Sequence, residues 1–177
     1  MASQALGLAG FNALTDRQRM HLLFGVCSST IWARRVLAGG PFRTVEALLD
    51  RADRVLAELP DAELDAALDG HPRIGAKVSE AHSASSAREQ ARVADADDAV
   101  RTELAARNRD YDDKFGYVYL VCASGRSAEE LLAILTDRLD NDPDTERRVM
   151  RSELAKINRL RLERLLSEPV TEAGSTS

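Results

Sequence analysis

Arg161 stands where a helical reading of the chain leaves no room for a charge. On the last predicted helix Met150, Leu154, Ile157 and Leu165 recur at three- and four-residue steps. Arg161 falls four after Ile157 and four before Leu165, in the middle of that apolar face. Burying an unpaired guanidinium costs on the order of several kcal/mol. The position therefore demands a carboxylate or an anionic ligand, unless the side chain snorkels to water along its stem. His71 is the second such residue. It lies in His71-Pro72-Arg73-Ile74-Gly75, where the proline stops regular helix and pushes the histidine into extended geometry. A loop stiffened this way displays its side chains, and an imidazole has the right range for proton transfer near neutral pH. The other histidines ask for less: His21 sits one residue from a core position of a predicted helix, and His82 sits in a Ser-rich loop. Third is Ser86-x-x-Glu89-Gln90. Read alone it is a capping box, in which Ser86 and Glu89 satisfy the first free N–H groups of a helix.

Other chemistries find no foothold. No second histidine stands at ligand spacing and there is no HExxH, so no metal site is expected. There is no catalytic triad, P-loop or dinucleotide fingerprint, and Gly39-Gly40 alone cradles no phosphate. The two cysteines, Cys27 and Cys122, both sit in apolar runs and read as buried thiols of a reducing compartment. The net charge of −5, with basic residues interleaved among acids, argues against a nucleic-acid partner. Met1–Gly10 lacks the basic start and apolar length of a signal peptide. No stretch reaches the ~18 apolar residues of a membrane span. A cytoplasmic protein that binds no membrane is the expectation.

The elements that must position these residues read as helices. Of 177 residues 44% are hydrophobic and only 5% aromatic, and Ala, Leu, Arg, Asp and Glu dominate. That composition points to an all-α fold, a single compact multi-helix domain of roughly eight helices. The domain is expected over 11–167, with a flexible N-terminus at 1–10 and a flexible tail at 168–177. Thr15 starts a helix whose stripe of Met20, Leu23, Phe24 and Cys27 is expected to be buried. A short helix follows over 31–37, stopped by Gly39, Gly40 and Pro41. Thr44 caps a helix carrying Val45, Leu48, Leu49, Ala52, Val55, Leu56 and Leu59 at helical spacing. Pro60 opens another that ends at Asp69-Gly70. Residues 76–85 read as a polar loop. Helix resumes at Ser86 and runs, with a break near Asp95, towards Asn108 and Tyr111. Phe115-Gly116 ends it. Tyr117–Ala123 reads equally as an extended buried run or as the start of a buried helix, and with no strand partner in view it predicts no sheet. Ser127 caps the next helix, and Asp142-Pro143 begins the last and longest, to about Leu166.

In order and spacing these pieces resemble one family. They are His71-Pro72-Arg73-Ile74-Gly75, Ser86-x-x-Glu89-Gln90, and Asn108-x-x-Tyr111-x-x-Lys114-Phe115-Gly116-Tyr117 running into Leu120-Val121-Cys122-Ala123. Then come Arg138-Leu139-x-Asn141, Glu146, and Glu153-Leu154-x-Lys156-Ile157-x-x-Leu160-Arg161-Leu162. The chain resembles the decarboxylases of 2-oxo-4-hydroxy-4-carboxy-5-ureidoimidazoline (OHCU) over roughly residues 10–167. It departs at Val118, where the family often has proline, and at Ile74, where leucine is frequent. The loop from Gly75 to Ser86 looks shortened.

The resemblance implies an all-α enzyme, often a homodimer, that uses no metal or organic cofactor. Such an enzyme converts a small anionic substrate, OHCU, into (S)-allantoin after urate has been oxidised and 5-hydroxyisourate hydrolysed. By matched position His71 would be the catalytic histidine, Glu89 its carboxylate partner, and Arg161 the substrate-binding arginine. Pro72, Ser86, Gln90, Phe115, Gly116, Tyr119, Leu120, Val121, Cys122 and Ala123 would line the pocket. Two other readings stay open. One is a non-catalytic helical interaction domain, in which Glu89 is a cap and Arg161 an ion pair. The other is a lyase or hydrolase acting on a related ureido compound.

Overall fold

The computed structural model describes residues 5–69, 71, 74, 93 and 96–168. Among them are eight helices and no β-sheet: α1 (Gly7–Ala13), α2 (Asp16–Val26), α3 (Thr30–Leu37), α4 (Val45–Ala57), α5 (Asp61–Leu68), α6 (Asp98–Phe115), α7 (Ala128–Leu139) and α8 (Pro143–Ser167). The all-α expectation holds. Among the described residues no helix is long and apolar enough to cross a membrane.

Local chemistry sets the helix ends. Thr15 and Gln18 form a reciprocal capping box at the start of α2, and Ser127 and Glu130 do the same for α7. Ser29 and Thr44 accept from the backbone N–H groups of Trp32 and Ala47, so each satisfies one of the free donors of its helix. Gly116 closes α6 in the left-handed region, at φ 78°, and its N–H bonds Asp112 O at 2.8 Å. A side chain would be strained in that conformation, which is why the helix stops at a glycine. The chain does not resume as helix: residues 117–123 form neither helix nor strand, so the reading of that segment as the start of a buried helix does not hold.

The contacts group the chain into two compact units, Met1–Leu59 with Asn158–Ser177, and Pro60–Ile157. In the first, α2 packs on α3 and α3 on α4. Its buried side chains include Phe11, Leu23, Trp32, Val36, Leu48, Leu56, Leu162 and Leu166. Trp32 is fully buried and donates its indole N–H to Ala52 O at 3.2 Å. Arg159 reaches Glu46, Asp50 and Asp53 at 3.1, 2.9 and 2.8 Å, fastening the end of α8 to α4. In the second unit α6 packs on α7. Their core gathers Ile74, Leu104, Tyr111, Tyr119, Val121, Leu131 and Leu135.

Three details differ from the expected pattern. Phe24 is 46% exposed rather than part of a buried stripe. The buried face of α2 is set by Leu23, Val26 and Cys27, and one residue on from Leu23 the helix has turned Phe24 about 100° away. Cys27 is buried as expected, but Cys122 is only partly so. Finally, α1 starts at Gly7, inside the stretch expected to be loose. Fully buried Phe11 anchors it, and the Leu6 N–H bonds Glu168 O at 3.2 Å.

Candidate active site

In the second unit His71 follows α5 directly, and its backbone N–H closes on Leu68 O at 2.9 Å. The residue is buried, at 8% exposure. Asn108 of α6 donates to Ile74 O at 3.3 Å and to Leu104 O at 2.9 Å, so one buried amide ties the turn after His71 to the helix beneath it.

The irregular segment 119–123 is held by a buried polar network. Arg138 of α7 donates from Nη1 to Leu120 O at 2.7 Å and forms a buried ion pair with Glu146 of α8. Glu146 also accepts from Tyr111 Oη at 2.5 Å and from Asn141 Nδ2 at 3.0 Å. The guanidinium lies 4.9 Å from the Tyr119 ring centroid, and Tyr119 Oη donates to Leu131 O at 3.2 Å. Burial and the neighbouring Glu146 carboxylate push the Tyr111 hydroxyl far above its ordinary range, so it stays protonated; it donates to Glu146 and accepts from Arg138 Nη2 at 3.5 Å. Farther along, Cys122 N–H donates to Glu153 Oε2 at 2.8 Å. Burial opposes ionisation of Glu153, but Lys156 at 2.6 Å and this N–H outweigh it and hold the carboxyl below its ordinary value. Each tether fixes a peptide group whose orientation decides which backbone donors face outward.

In the first unit Arg161 is buried, at 9% exposure, as its place in the apolar stripe predicts. Its Nη1 donates to Val26 O at 3.1 Å, at the end of α2. Beside it the Cys27 thiol is pushed up to about 11 by burial, against the smaller opposing effects of the Asn158 amide, the Arg161 charge and the Ser29 N–H. The thiol is therefore neutral at physiological pH and acts as packing.

Phe115 and Gly116 line an open recess of about 590 Å³ together with Asp65, Asp69, Asp112, Tyr117 and Arg147. Carboxylates surround it, and Arg147 is already held by Asp65 at 2.6 Å, so the recess does not offer an anion what it needs. Pro72, Ser86, Glu89 and Gln90 lie outside the described residues. Among the described residues no three His, Cys, Asp or Glu side chains converge as metal ligands.

Sequence reasoning gave no role to Asn158, Asn108 or the Arg138–Glu146 pair. A signal existed for the first: Leu154, Asn158, Leu162 and Leu166 recur at steps of four, and all are buried. It is the same anomaly that marks Arg161, a polar residue inside an apolar row.

The described residues define an all-α scaffold in which His71, after α5, and Arg161, on α8, are each buried. The family model for OHCU decarboxylase matches residues 12–163. The chain belongs to the OHCU decarboxylase family. It is 31% identical to the 2-oxo-4-hydroxy-4-carboxy-5-ureidoimidazoline decarboxylase of Amia calva, over 78% of this chain and 82% of that protein. It is 30% identical to the uric acid degradation bifunctional protein TTL of Arabidopsis thaliana, over 85% of this chain but only 49% of that protein, so it spans about half the length of this relative. Among solved structures, an OHCU decarboxylase crystallised in the presence of (S)-allantoin is 26% identical and superposes with a TM-score of 0.72, covering 88% of this chain and 100% of that one.

Proposed function

We propose that this chain decarboxylates OHCU to (S)-allantoin. The observation that carries the reading, within the family, is the burial of Arg161, the matched substrate-binding arginine, on an apolar helix face. A buried cation of this kind suits an anionic ligand.

The substrate's chemistry explains why so few groups suffice. Its carboxylate sits on a carbon next to a C=N bond, so the C–C bonding pair left by departing CO2 moves into that bond, onto the ring nitrogen. The substrate thus contains its own electron sink, the service for which other decarboxylases recruit a cofactor. In our reading His71 takes the hydroxyl proton and later returns a proton to one face of the resulting enol, which sets the S configuration. Glu89 fixes the imidazole tautomer. Arg161 binds a ring or ureido oxygen as negative charge develops there. A tight grip on the departing carboxylate would favour the ground state and oppose the reaction. Pro72, Ser86, Gln90 and residues Tyr119, Leu120, Val121, Cys122 and Ala123 line the pocket, and Phe115-Gly116 supplies the turn that directs this segment. The resemblance further supports a cytoplasmic homodimer without metal or organic cofactor.

The test is circular dichroism of urate treated with urate oxidase and 5-hydroxyisourate hydrolase, with and without the protein. Rapid appearance of (S)-allantoin is expected, against slow racemic decay in the blank. His71→Asn is expected to reduce turnover by about 10²- to 10⁴-fold. No acceleration by folded wild-type protein overturns the reading.

A further inference from the structure

Asn158 is 2% exposed, and neither its Oδ1 nor its Nδ2 has a hydrogen-bond partner among the described residues. Buried carboxamides are nearly always satisfied, because stripping water from a donor and an acceptor without replacing it is costly. Here both ends are open at once, so the group carries an unmet demand for one donor and one acceptor side by side. Its place on α8 says where that demand is felt. Asn158 stands three residues before Arg161, so the two side chains share one helix face. The Cys27 thiol, itself beside Arg161, is a weak hydrogen-bonding neighbour of the same amide. Sulfur is a weak hydrogen-bonding atom and leaves the demand unmet.

We propose that Asn158 is a substrate-binding residue that pairs its carboxamide with a urea edge of the ligand held by Arg161. The inference rests on the decarboxylase reading and deepens it. A urea group presents N–H and C=O on adjacent atoms, the complement of Nδ2 and Oδ1. OHCU carries two such edges, one in the ring and one in the ureido arm, and (S)-allantoin keeps both. The division of labour is then chemical: Arg161 meets negative charge, while the neutral Asn158 reads the urea pattern without favouring the carboxylate that must leave. A ligand with an ester or a hydrocarbon in place of that edge would leave the amide stranded, so Asn158 also contributes to selection among small anions.

Substitution separates this role from a structural one. Asn158→Leu fills a similar volume and abolishes both hydrogen bonds, and Asn158→Ser is a second variant with less bulk. We expect KM for OHCU to rise about 10- to 30-fold in Asn158→Leu, the loss of two neutral hydrogen bonds, with kcat changed far less. Calorimetric affinity for (S)-allantoin should fall in parallel. The melting temperature should stay level or rise, since an unsatisfied amide has been removed. Unchanged KM and (S)-allantoin affinity in both variants, whatever happens to melting, overturns the inference while leaving the decarboxylase reading intact. A wild-type protein that leaves OHCU untouched overturns both.

Discussion

At Arg161 the planar fork is expected to matter as well as the charge. Its Nη1 donates to Val26 O, a bond that fixes the orientation of the guanidinium plane. A lysine keeps the positive charge but offers a point donor on a flexible stem. Arg161→Lys should therefore lower kcat/KM at least about tenfold in a steady-state assay, with little loss of fold. If turnover and affinity both survive, the guanidinium is structural. Cys27, its neighbour, makes the opposite prediction. Burial pushes that thiol up to about 11, so at pH 8 roughly one molecule in a thousand carries the thiolate. Iodoacetamide at pH 8 should leave Cys27 unmodified in native protein and alkylate it after denaturation, read by mass spectrometry. Labelling of native Cys27 at the rate of a free cysteine would contradict its neutral, packed state.

The elements around the site depend on buried ion pairs and on single carboxylates that hold backbone. Glu153 is the clearest case, with Lys156 on one oxygen and the Cys122 N–H on the other. Its carboxyl titrates lower in the folded chain than in the unfolded one. The stability this confers is present above the unfolded value and is lost as pH falls through the folded value. Thermal melts from neutral pH down to pH 3 should show Glu153→Gln losing less stability on acidification than wild type. Parallel slopes would mean that Glu153 adds nothing. The sequence made much of this scale legible. Caps at Thr15, Thr44 and Ser127 were visible because N-cap chemistry is local, and the burial of Arg161 was visible because helical periodicity places it. The state of 117–123 was not, since one β-prone run without a partner fits helix or extended chain equally until tertiary contacts choose. What chose here is the Arg138–Glu146 pair beneath Leu120, eight residues apart in sequence and on different helices. Phe24 was misplaced for a related reason: a stripe's centre depends on what packs against it, and a shift of one residue moves a flanking side chain into solvent.

At the scale of the molecule α8 carries both units. It runs unbroken over Pro143–Ser167, giving Met150, Leu154 and Ile157 to one unit and Leu162 and Leu166 to the other. Unfolding either unit alone would require α8 to end in its middle. That would free backbone groups across a turn and expose leucines worth about 1.5–3 kcal/mol each. The chain contains its own reporters for the question. Its one tryptophan, Trp32, is buried in the first unit, and its three tyrosines, Tyr111, Tyr117 and Tyr119, all lie in the second. In a urea titration, tryptophan fluorescence and tyrosine near-ultraviolet circular dichroism should give the same midpoint and the same slope. Coincidence would mean that the described residues unfold as one cooperative structure. Separated midpoints would mean that α8 frays near Asn158 and that the two units are independent folding units. In that case the surroundings of Arg161 would follow the tryptophan signal and those of His71 the tyrosine signal.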